Sequence, residues 1–134
     1  MKTFIAVITI ATFTFNANAL EFAGSTKHIE CATKVSNALG IQDKNHVIWL
    51  ADKKLKKGLA GYFSGTDREN TSVLVINKKL SSGRHEAKLT IAHEMVHVMQ
   101  YIRGDHFNLK PKYNKRKHEK EAFKLEKSLY RLCN

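Results

Sequence analysis

Five consecutive residues, His93-Glu94-Met95-Val96-His97, carry the densest chemistry in the chain. Residues four apart on an α-helix stand one above the other on the same face. His93 and His97 can therefore both aim an imidazole nitrogen at one metal ion, at about 2.0–2.1 Å if that ion is zinc. Glu94 flanks the same point and can reach a water beside the ion, which suits it to act as a general base. The pattern H-E-x-x-H thus supplies two ligands and a proton acceptor for metal-assisted hydrolysis. Its surroundings agree. Residues 86–102 read EAKLTIAHEMVHVMQYI, without Gly or Pro and rich in helix formers. One apolar stripe is Leu89, Ala92, Val96 and Met99, and another is Ile91, Met95, Val98 and Ile102. Apolar residues on nearly every side mark a buried helix. Ser82 or Gly83 is placed to cap its start, and Arg103-Gly104 to end it. Two histidines and a glutamate inside such a helix are costly unless something satisfies them. A metal with a bound water does so; the alternative is a hydrogen-bonded pair of core histidines beside a structural glutamate.

A catalytic zinc site has three protein ligands and one open position, and here the third must follow His97. Arg103 occupies the place of the last histidine in the H-E-x-x-H-x-x-G-x-x-H pattern, so that pattern is absent. On a wheel at about 100° per residue, the last segment divides cleanly. Ala122, Phe123, Leu125, Leu129, Tyr130, Leu132 and Cys133 fall in one half, with Lys117, Lys120, Lys124, Lys127 and Arg131 in the other. Glu119 lies inside the apolar half, as do His118 and Glu126, while Glu121 points to the polar edge. A carboxylate on a buried face needs a charge partner, and a metal is one. Glu119 is the expected third ligand and His118 the runner-up, ahead of Asp105 and His106 in the preceding loop. An ion pair from Glu119 to a nearby Lys or Arg is the metal-free alternative.

His93-Glu94-x-x-His97, followed 22 residues later by Glu119-x-x-Ala122, resembles the gluzincin metallopeptidases. Small minimal gluzincins are similar in size and element order, and His97-x-x-Gln100 recurs among small members. The resemblance covers roughly 49–129, with specific motifs only on the two helices. It implies a zincin-like core in which the glutamate-bearing helix packs beside the H-E-x-x-H helix, and a sheet whose edge strand binds an extended peptide. It also implies one Zn²⁺ per chain. One departure stands out: relatives often carry Asp or Asn four residues after the third ligand, where this chain has Phe123. Orientation of the histidines must come from elsewhere, with Glu126 as a candidate. In the expected mechanism Glu94 takes a proton from the zinc-activated water and later passes it to the leaving amine. Tyr101, His106 and Tyr113 are candidates to stabilise the oxyanion, and residues 72–76 are the expected edge strand.

The elements that must position these groups come next. Lys2, an apolar and Thr-rich run over 3–15, and Ala17-Asn18-Ala19 read as a signal peptide over 1–19, removed on export to the periplasm or outside the cell. The mature chain, 20–134, is expected to be one metallopeptidase domain, a monomer without a transmembrane anchor. Its fold class reads as α+β. A helix over 29–39 leads into strands near 46–50, 59–63 and 72–76, then the H-E-x-x-H helix, a loop over 103–114 containing the only proline, Pro111, and a helix over 115–132. Cys31 and Cys133 are expected to pair in an oxidising compartment. The formal charge of +11 allows weak attraction to anionic polymers besides a peptide or protein substrate. Two rival classes remain: a structural-zinc module with His118 as a fourth ligand, and an exported basic polyanion binder, although there is little aromatic interleaving to stack bases.

Overall fold

The computed structural model describes residues 20–41, 45–65, 70–81, 83–104 and 111–134, with the backbone alone at 84 and 111–115. The fold is α+β. In chain order come β1 (Glu21–Gly24), α1 (Ile29–Ala38), β2 (Val47–Lys53), β3 (Gly61–Gly65), β4 (Thr71–Asn77), α2 (Ala87–Ile102) and α3 (Pro111–Tyr130). The sheet order is β1-β2-β4-β3; β1, β2 and β4 run parallel, and β3 is antiparallel to β4. Residues 1–19 lie outside the described residues, and with them the expected signal peptide. Among the described residues no helix is long and apolar enough to cross a membrane.

Strand alternation builds the core. Ile48 and Leu50 of β2 are buried while Trp49 between them is 48% exposed. The β2–β4 register sets Ile48 beside Ser72 and Leu50 beside Leu74, so one face of the sheet collects Ile48, Leu50, Leu74 and Ile76. These join Val35 of α1 and Ile91, Met95 and Val98 of α2 in one cluster. Burying each such side chain contributes roughly 1.5–3 kcal/mol before the cost of ordering it. Ala122 of α3 is fully buried in the same cluster, and its small side chain lets α3 lie against α2.

Several sequence expectations shift. The run at 72–76 is not an edge: β4 lies between β2 and β3. Its near-continuous apolar character suits an interior strand, and the glycine-bounded β3 forms the edge instead. A fourth strand, β1, is an addition. Four residues with a charged start give little alternation to recognise, yet Gly24 fixes their place. Its φ is +86°, and a Cβ there would sit 2.4 Å from the Leu50 carbonyl oxygen. Of the two residues expected to cap α2, Ser82 lies outside the described residues and Gly83 opens a short 3-10 turn before the helix; the cap residue is Glu86, in extended conformation, and its carboxylate accepts a 2.6 Å hydrogen bond from the Tyr130 hydroxyl. Pro111 opens α3, where its missing N–H costs nothing, so the connection after α2 is shorter than 103–114. Cys31 and Cys133 form a disulfide that ties α1 to the end of the chain.

Candidate metal centre

His93 and His97 project from one face of α2, their rings 5.0 Å apart. Glu119 projects from α3 onto the same point. Its Oε2 lies 3.2 Å from His93 Nε2 and its Oε1 lies 2.9 Å from His97 Nε2. Ligands 2.0–2.1 Å from one tetrahedral ion stand about 3.3 Å from each other, so these spacings are close to those of three donors sharing an ion. One donor atom from each of the three residues lies within 4.8 Å of the others. The group could hold a metal ion.

The opposite nitrogens strengthen that reading. His93 Nδ1 lies 2.7 Å from Glu126 Oε2, and His97 Nδ1 lies 2.8 Å from Gln100 Oε1. The orientation of the Gln100 amide is fixed from the other side, because its Nε2 donates to the His118 carbonyl at 3.0 Å and to Glu121 Oε1 at 2.8 Å. With both amide hydrogens used, Oε1 must accept, and His97 must carry its proton on Nδ1. Glu126 imposes the same on His93. Each ring is thus set to offer Nε2 to the centre, as imidazole ligands held by outer partners do. Without an ion, both nitrogens of each ring face acceptors, which favours the doubly protonated imidazolium. Burial opposes that charge on His93, but the hydrogen bonds to Glu119 and Glu126 outweigh it and raise its pKa. Burial likewise works against His97, and Glu119 and Gln100 overcome it. Hydrogen bonds from His93 and then His97 hold Glu119 far below the usual carboxylate range.

Glu94 sits beside this group and is buried. Burial raises its pKa, against the opposing influence of His97, His93 and the Phe63 backbone N–H that bonds its carboxylate. The strand explains that last bond. Asn77 N–H reaches the Ala60 carbonyl, so Ala60 and alternate residues after it turn their amides toward β4, whereas Phe63 turns its own outward from the edge. Gly61 permits the approach of α2: a Cβ there would lie 2.5 Å from the Val75 carbonyl oxygen and 2.7 Å from Thr90 Cγ2.

His118, the runner-up ligand, is buried in α3 but is not in the converging group; its carbonyl serves Gln100 instead. Tyr101 stands one turn beyond His97, partly exposed, with its ring edge-on to Phe63 at 5.6 Å and to His46 at 6.0 Å. Asp105 and His106 lie outside the described residues, as does the Tyr113 side chain. Phe123, four residues after Glu119, rests 4.7 Å from the His93 ring, and Glu126, one turn further on, takes the orienting role. Sequence reasoning gave Gln100 no task and placed Glu121 at the periphery. Glu121 Oε1 in fact accepts from both Gln100 and Arg103, joining the two helices around His97. The His97-x-x-Gln100 spacing, on a helix apolar on nearly every side, was the available signal. No protein-family model, curated protein or solved structure matches the chain, so the reading of this centre rests on its own geometry.

Proposed function

We propose that the chain is a zinc-dependent metallopeptidase of gluzincin type, acting outside the cytoplasm. The observation that carries the proposal is the convergence of His93 Nε2, His97 Nε2 and Glu119 on one point while Glu126 and Gln100 occupy both Nδ1 atoms. Outer partners on both imidazoles are what a metal centre needs and what a plain ion pair does not. A bound Zn²⁺ would supply a Lewis acid that lowers the pKa of a water and polarises a carbonyl. Glu94 would accept the proton of the attacking water and return it to the leaving amine; its burial makes it the stronger base for that task. Glu119 is 35% exposed at its side chain, which leaves the centre approachable and favours catalysis over a closed structural zinc. The outer edge of β3, apart from the Phe63 amide that Glu94 holds, is the strand with which an extended peptide would pair. The expected result with zinc-loaded protein and a peptide library is chelator-sensitive cleavage that Glu94→Gln abolishes. Cleavage that survives Glu94→Gln would refute the mechanism.

A further inference from the structure

The exposed side of α3 is charged with one sign only. Arg116, Lys117, Lys120, Lys124 and Lys127, and Arg131 in the 3-10 turn that follows the helix, are all exposed, and at 3.6 residues per turn the five on the helix fall within an arc of about 100°. No acidic residue of the helix shares that arc. Glu119 and Glu126 are committed to the histidines and Glu121 to Gln100 and Arg103, and none of the six cations is paired with a carboxylate among the described residues. Surface helices ordinarily interleave the two signs, because like charges four apart repel. Here Arg116 and Lys120, Lys120 and Lys124, and Lys127 and Arg131 all stand four apart. The helix keeps a self-repelling ridge about 22 Å long. Its border is Phe123, 47% exposed and in contact with His93, so the ridge begins one side chain from the metal centre.

We infer that this ridge docks acidic protein segments and so gives the peptidase proposed above a preference for substrates with carboxylates near the cleaved bond. The inference rests on that peptidase reading for its consequence, though not for its binding. Spacing matches: cations four apart on the helix recur about every 6 Å, and alternate side chains of an extended peptide recur about every 6.6 Å. A chain of about seven residues covers the ridge. Nucleic acid fits less well, since among the described side chains of the helix no aromatic lies within the arc to stack a base.

The test is direct binding to zinc-loaded Glu94→Gln protein, which leaves bound peptide uncut. Fluorescence anisotropy compares a labelled peptide rich in Asp and Glu with its Asn and Gln counterpart, with single-stranded DNA of equal charge as competitor. The acidic peptide should bind about tenfold tighter. That advantage should shrink between about 50 mM and about 500 mM salt. It should disappear when Lys120→Gln, Lys124→Gln and Lys127→Gln are combined, with zinc content and melting temperature unchanged. Equal binding of the two peptides, or a preference that survives the triple substitution, overturns the inference. DNA that outcompetes the acidic peptide at equal charge also overturns it and assigns the ridge to nucleic acid. Wild-type protein assayed on the neutral peptide separates the two proposals: no cleavage defeats the peptidase reading, while a ridge-dependent acidic preference still sustains this one.

Discussion

At the scale of single residues, the centre is defined as much by Gln100 and Glu126 as by the groups they hold. Replacing Gln100 with Leu keeps the volume nearly constant but removes the acceptor that fixes the His97 proton on Nδ1. Zinc affinity is expected to fall about 10–100-fold, readable by competition with a chromophoric chelator; unchanged affinity would deny Gln100 its role. Glu94→Gln should leave zinc binding intact and lower turnover by at least about 10²-fold, measured on any peptide the wild type cleaves. The pKa directions add a pH dependence. In metal-free protein His93 and His97 are raised above the ordinary value near 6.5. Their stabilisation is fully present below about pH 6.5 and is lost as pH rises through the raised values. Glu119 is depressed, so its contribution is present above about pH 4.3 and is lost only as pH falls through its lowered value. Glu94 is raised by burial and also favours the protonated side. Metal-free protein should therefore melt at a lower temperature at pH 8.5 than at pH 6. Zinc must displace the imidazole protons, so its affinity should rise over the same interval, with proton release visible by calorimetry in two buffers.

At the scale of elements, the close approach of β3 to α2 sets Glu94 against the Phe63 N–H, and Gly61 makes that approach possible. Gly61→Ala is expected to destabilise the protein by roughly 1–3 kcal/mol, as overpacking does, since the added Cβ would meet the Val75 carbonyl oxygen and Thr90. Denaturant unfolding checks the loss, and turnover should fall further than zinc content. Much of this layout was legible in the sequence. The 86–102 segment announces a buried helix because its apolar residues surround the axis, and Glu119 betrays itself as a carboxylate on the apolar side of α3. Order within the sheet was not legible, because alternation tells which face of a strand is buried and nothing about its neighbours. That is why residues 72–76 read as an edge and proved central, and why the four residues of β1 passed unnoticed. The Glu121–Gln100 link was hidden for a related reason: a wheel places Glu121 at a boundary but cannot show that another helix's glutamine meets it there.

At the scale of the whole molecule, α+β order and the Cys31–Cys133 pairing followed from composition and spacing, whereas the way the disulfide joins α1 to the end of the chain needed the fold. Its two cysteines are 102 residues apart, and a closed loop of that length contributes about 4–5 kcal/mol in the chain-entropy description. Combining Cys31→Ser with Cys133→Ser should therefore lower unfolding free energy by a large fraction of what a small domain possesses, as read from denaturant midpoints. The candidate metal centre lies between α2 and α3, and zinc bound there should stabilise the pair against separation. The most direct measurement is the zinc content of purified chain, compared with Glu119→Ala and His118→Ala. One zinc per chain, lost with Glu119→Ala and retained with His118→Ala, is the expected result. No zinc under metal-replete conditions, or zinc indifferent to Glu119, would contradict the three-residue centre.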